Sequence, residues 1–75
     1  MTSHNFTAKD IHLRIRNTRT ELGYSQEFVA SKIGISQNAY SRIELGLAKL
    51  SIERMLKIAD ILQVNPLQFL TADEK

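Results

Sequence analysis

The chain has 75 residues, with ten Lys or Arg against eight Asp or Glu for a formal charge of +2, and no cysteine. That length allows one domain with a small core, and without thiols neither a disulfide framework nor a cysteine-ligated metal supports it, so helix packing and caps must, helped by a partner subunit. Hydrophobic residues at 43% exclude a disordered chain, the first 20 residues hold no leader-like apolar run, and no stretch approaches the roughly 18 residues of a membrane span, so a cytoplasmic, nucleoid-associated protein is expected.

Residues 1–7 read as a flexible N-terminal segment, 8–70 as the domain and 71–75 as a flexible tail. Thr7 is expected to cap a first helix over 8–22, with Asp10 in the capping-box place, Phe6 stapled to Ile11, and a core face of Ile11, Ile15 and Leu22. Gly23 stops it, and Ser25 caps a second helix over 26–33, with Tyr24 stapled to Val29 and a core face of Val29, Ala30 and Ile33. After Gly34, Ser36 caps a third helix over 37–45, with Ile35 against Tyr40, and Gly46 follows it. Ser51 caps a fourth over 52–62, with Leu50 against Met55. Ile52, Met55, Leu56, Ala59 and Leu62, widened by Ile58 and Ile61, make it apolar nearly all round, which predicts the centre of the core. Asn65 caps a fifth helix over 66–70, with Pro66 at its first position and Val64 against Phe69. No segment alternates at period two, so the fold class is all-α.

Residues 26–45, QEFVASKIGISQNAYSRIEL, hold two short helices around a tight turn. A steep crossing needs a small residue at the contact, and Ala30 is placed there. The turn needs a residue tolerant of positive φ, and Gly34 is placed there. Val29, Ile33, Ile35, Tyr40 and Ile43 supply a buried seam. This is the helix-turn-helix arrangement, whose second helix enters the DNA major groove.

The sequence resembles the Cro/phage-repressor-type (XRE-type) helix-turn-helix regulators over roughly residues 11–70. The likeness is carried by Ile15-Arg16, Arg19, Gly23-Tyr24-Ser25-Gln26, Ala30, Gly34-Ile35-Ser36-Gln37, Ser41-Arg42-Ile43-Glu44, Gly46, and Ser51 through Val64-Asn65-Pro66. It implies a compact five-helix, lambda-repressor-like DNA-binding domain. It implies a transcriptional regulator, a repressor by default, acting on double-stranded DNA as a homodimer on a two-fold operator. It also implies an ion pair between Arg19 and Glu44, and a phosphate contact at Gln26.

The face of the third helix left over by the core seam carries Gln37, Asn38, Ser41, Arg42 and Leu45. Glutamine and asparagine pair with adenine, and arginine with guanine, so Gln37, Asn38, Ser41 and Arg42 are the candidate base contacts. Ser25 and Gln26 at a helix N-terminus, with Arg16 and Lys49, are the candidate phosphate contacts. Arg14 and Lys32 are further cationic neighbours. Two departures from the relatives stand out. The segment Leu45-Gly46-Leu47-Ala48-Lys49-Leu50 holds one charge where they are often basic, and Thr18 replaces a larger apolar residue. Leu45 suits a thymine methyl and Leu47 a protein partner. His4 and His12 are too few for a metal site, and no catalytic constellation is present, so no cofactor, metal or enzymatic activity is expected. The competing reading is a protein-binding module such as an antitoxin, which would expose a large apolar patch.

Overall fold

A computed structural model describes residues 8–70, with side chains from residue 10 onward. It holds four α-helices: α1 (Ala8–Leu22), α2 (Gln26–Ile33), α3 (Gln37–Glu44) and α4 (Ile52–Leu62). A short 3-10 turn, Pro66–Phe69, follows. No strand occurs among the described residues. The expected Thr7 cap, the Phe6 staple and the two end segments 1–7 and 71–75 lie outside the described residues.

Three of the helices start where a serine hydroxyl can accept an otherwise orphaned amide. Ser25 accepts from Phe28 N, Ser36 from Ala39 N and Ser51 from Arg54 N, each at 3.0 Å. Gly34 closes α2 at φ 90° with its N–H on Ala30 O, which lets the chain reverse directly into α3. α4 ends differently. Gln63 takes the left-handed conformation at φ 60° without being glycine.

The expected fifth helix is a 3-10 turn instead. Asn65 Oδ1 accepts from Leu67 N at 3.0 Å, and Gln68 N and Leu70 N bond three residues back to Asn65 O and Leu67 O. Four residues are too few to propagate an α-helix, and the tighter winding suffices to bury Phe69 completely. α3 also ends one residue earlier than expected, with Leu45 as its C-cap.

The core gathers Ile15, Val29, Ala30, Tyr40, Ile43, Met55, Ile58, Ala59, Leu62 and Phe69. α2 packs on α3 and α4, while α1 packs on α3, α4 and the 3-10 turn. Two predicted core faces are rotated. On α1 the buried positions are His12, Ile15 and Arg19, and Leu22 is 47% exposed. On α4 they are Met55, Ile58, Ala59 and Leu62, whereas Ile52 and Leu56 are exposed. A stripe wider than its neighbours can cover leaves one edge in solvent, and on α4 that edge is Ile52 and Leu56.

Candidate nucleic-acid interface

α3 is held from behind. Tyr40, Ile43 and Glu44 are buried, while Gln37, Asn38 and Arg42 are exposed and Ser41 is half-buried. The exposed positions fall at helical spacing on the side away from the core, so the helix offers a polar ridge of Gln37, Asn38, Ser41 and Arg42, extended by the exposed Leu45.

Behind that ridge lies a buried ion pair. Arg19 Nε donates to Glu44 Oε2 at 2.6 Å and Nη2 donates to Oε1 at 3.0 Å, a two-point contact between α1 and the end of α3. Its side chains are 10% and 1% exposed. Arg19 Nη1 also donates to Tyr24 O at 2.8 Å, which ties the chain entering α2 to the same guanidinium. Burial pulls the Glu44 carboxyl upward, but the Arg19 guanidinium, the neighbouring Tyr40 hydroxyl and the Gln26 amide together outweigh it, so Glu44 titrates below the ordinary carboxylate range. The same Glu44 bond raises Arg19 above its ordinary value, against an opposing contribution from burial. Burial pushes the Tyr40 phenol far up, with the Glu44 carboxylate adding to it; the Tyr40 hydroxyl is buried outside hydrogen-bonding geometry.

Gln26 opens α2 and faces both ways. Its Nε2 donates to Glu44 Oε1 at 3.0 Å, and its Oε1 accepts from Gln37 Nε2 at 3.5 Å. Residues 18 and 11 positions from Gln26 thus meet it only once the fold has formed, which is why pattern alone does not reveal these bonds. Ser25 beside it is exposed, its hydroxyl engaged as the α2 cap. Arg16 is exposed on α1, one turn before Arg19. Lys49 is exposed in the loop 45–51, which is fastened to α3 by Leu47 N and Ala48 N on Arg42 O. Lys32 instead sits over the Phe28 ring at 5.4 Å, and that ring stacks on Tyr24 with centroids 5.0 Å apart.

The sequence matches the family described as Helix-turn-helix over residues 15–69, which takes in α2, the Gly34 turn, α3, α4 and most of α1. The chain belongs to the helix-turn-helix family. Among its relatives is the SPbeta prophage-derived uncharacterized HTH-type transcriptional regulator YonR of Bacillus subtilis (strain 168), 35% identical over 52 residues, which are 69% of this chain and 48% of that protein. The chain therefore spans about half the length of that curated relative. The crystal structure of the restriction-modification controller protein C.AhdI from Aeromonas hydrophila is similar at a TM-score of 0.76 and 29% identity, over 83% of this chain and 94% of that one. In this helix-turn-helix protein, then, α2 and α3 are the two helices of the motif, joined by the turn at Gly34.

One further feature carries no signal in the sequence pattern. α1, the loop 45–51, α4 and the 3-10 turn enclose an apolar groove of about 950 Å³. Among the described residues nine large apolar side chains are exposed, and five of them, Leu47, Ile52, Leu56, Leu67 and Leu70, line this groove. His12, 8% exposed, also lines it, against Gly46. A Cβ at Gly46 would meet His12 Cδ2 at an ordinary contact distance of 3.4 Å, so it is the backbone, at φ +76°, that favours glycine there.

Proposed function

We propose that this chain is a sequence-specific DNA-binding transcriptional regulator, a repressor, that inserts α3 into the major groove of a short operator. The observation that carries this reading is the division of α3: Tyr40, Ile43 and Glu44 lock it into the domain, while Gln37, Asn38, Ser41 and Arg42 are left on the outward side with side chains suited to base edges. Ser25 and Gln26 at the N-terminus of α2 grip one phosphate, and Arg16 and Lys49 flank the site as further phosphate contacts. The Bacillus relative is named as an HTH-type transcriptional regulator and the Aeromonas neighbour as a restriction-modification controller protein, which supports regulation as the role.

The regulator acts as a homodimer. One eight-residue recognition helix reads few base pairs, and two copies about 34 Å apart on a two-fold site double the reading. The second copy closes the apolar groove. A two-fold contact sets the same patch against itself, so it needs hollows and projections together. This patch has both, since Leu47, Ile52 and Leu67 stand out at 61%, 73% and 59% exposure beside the groove they line. Lys49 is the single formally charged residue among those lining it, which leaves little like-charge repulsion when identical faces meet.

The test is selection of the purified protein on random duplexes, with affinities measured at two salt concentrations. Enrichment of a short two-fold sequence, abolished in the double variant Gln37→Ala/Arg42→Ala while folding is kept, is the expected result, and the salt slope counts the phosphates engaged. An enriched sequence bound equally well by the double variant overturns the assignment of α3. No enrichment at all turns the reading toward a protein-binding module.

A further inference from the structure

Leu45 belongs neither to the core nor to the apolar groove. It is 62% exposed, and unlike Leu47, Ile52, Leu56, Leu67 and Leu70 it does not line the groove. It caps α3 at φ −84° and ψ −5°, with its N–H on Ser41 O at 3.0 Å, so its side chain leaves the backbone in helical register. At about 100° per residue, Ser41, Leu45, Asn38 and Arg42 follow Gln37 at roughly 40°, 80°, 100° and 140° round the axis. Leu45 therefore falls within the polar ridge and not at its edge. A helical side chain also leans back over the turn before it, here toward Ser41 and Arg42. A branched apolar group is thus set among side chains suited to base edges.

Residues 45–48 have nothing with which to hold a phosphate. Leu45 N is bonded to Ser41 O, Gly46 N to Ile43 O, and Leu47 N and Ala48 N to Arg42 O. Four consecutive amides are committed inside the chain, and the side chains of Leu45, Gly46, Leu47 and Ala48 carry no donor. What this end of α3 offers DNA is apolar contact. The apolar projection into the major groove is the methyl group on C5 of a pyrimidine, which thymine carries and cytosine acquires when methylated. We infer that Leu45 is a specificity-determining residue that packs on a pyrimidine 5-methyl group beside the bases reached by Ser41 and Arg42. Thymine and uracil present the same acceptor to the groove, and cytosine and 5-methylcytosine the same donor, so hydrogen-bonding side chains do not tell the members of either pair apart. An apolar contact does, by about the value of one buried methyl, roughly fourfold in affinity.

This inference rests on α3 being the recognition helix, and the experiment separates the two. Once an operator has been selected, each thymine in turn is replaced by deoxyuridine and each cytosine by 5-methylcytosine. These changes remove or add one methyl and leave the hydrogen-bonding edges as they were. Affinities are measured for the wild type, Leu45→Ala and the double variant Gln37→Ala/Arg42→Ala. Leu45 is exposed and its cap is made by the backbone, so Leu45→Ala is expected to keep the fold, as thermal melting will show; Leu45→Gln, of similar length, takes its place if it does not. The wild type is expected to lose about fourfold when one particular thymine loses its methyl, and Leu45→Ala to bind both duplexes equally. If no thymine responds but one cytosine gains about as much on methylation, and the gain vanishes in Leu45→Ala, the same contact is assigned to 5-methylcytosine. A wild type indifferent to every methyl, or a methyl response that persists in Leu45→Ala, overturns the inference. So does a Leu45→Ala that weakens every duplex alike, since Leu45 then packs on the sugars and reads no base. In each of those cases α3 stands as the recognition helix so long as the double variant loses the operator. If the double variant binds as the wild type does, that reading fails and this inference with it.

Discussion

Replacing Arg19 with methionine keeps the aliphatic stem and removes the guanidinium, which leaves Glu44 charged, 1% exposed and short of two hydrogen bonds. Removing one partner of a buried pair costs about 3–5 kcal/mol. Gln26 still donates to Glu44 here, so the expectation is the low end, about 3 kcal/mol. A domain of 75 residues has a total stability of roughly 4–11 kcal/mol, so this single change removes a large fraction of it. Urea unfolding at pH 7, followed by far-UV circular dichroism, measures the loss. The wild-type pair gives Glu44 a folded pKa below its unfolded one. Its contribution is therefore complete above the ordinary carboxylate value of about 4.3 and fades as pH falls through the lower folded value. In Arg19→Met the burial that raises the Glu44 carboxyl is no longer opposed by the guanidinium. The deficit against wild type therefore shrinks as pH drops below about 5, where protonation removes the unpaired charge. The double variant Arg19→Met/Glu44→Leu should recover most of the stability, because no charge is left buried. A loss under about 1 kcal/mol at pH 7, unchanged on acidification, would mean that the pair behaves as a surface ion pair and would refute the reasoning.

Tyr40→Phe removes a buried hydroxyl that lies beside the Glu44 carboxylate without completing a hydrogen bond to it, so stability in the same urea assay is expected to change by less than about 1 kcal/mol; a larger loss would mean that the hydroxyl is bonded to the carboxylate. Gln63→Gly relieves a left-handed non-glycine residue at the end of α4 and should raise stability by about 1 kcal/mol, read as a higher urea midpoint. Leu67→Glu places a charge on the rim of the apolar groove and should shift sedimentation from dimer to monomer while the helical signal persists. A dimer that survives it unchanged would move the contact elsewhere.

Where the sequence is legible, its signals are local. A serine hydroxyl reaching the amide three residues on is decided within one turn, which is why Ser25, Ser36 and Ser51 mark true helix starts. The turn at Gly34 and the polar face of α3 are legible for the same reason. Asn65 and Pro66 also mark a true start, but capping says nothing about how long an element runs, and four residues wind as 3-10. Periodicity places Ile52, Leu56 and Leu22 inside because it finds the axis of an apolar stripe and not the width its neighbours will cover. The left-handed end of α4 at Gln63 carries no glycine signal. The bonds joining Gln26 to Glu44 and Gln37 span helices whose crossing is set by the whole core. The Arg19–Glu44 contact is expected only through family resemblance, since two charges 25 positions apart carry no pattern of their own.

The division of α3 also bears on how such a protein changes over generations. Of its eight residues, Tyr40, Ile43 and Glu44 are buried and required by the fold, Ala39 and Ser41 are half-buried, and Gln37, Asn38 and Arg42 are exposed. Substitutions at exposed positions without packing or capping duties shift stability by about 0.5 kcal/mol or less. Asn38 and Arg42 are therefore free to mutate without risking an unfolded intermediate. Gln37, tethered through Gln26 to the buried pair, is the more constrained position. A lineage of such domains can diversify its targets at the far end of the helix while the leading position lags behind.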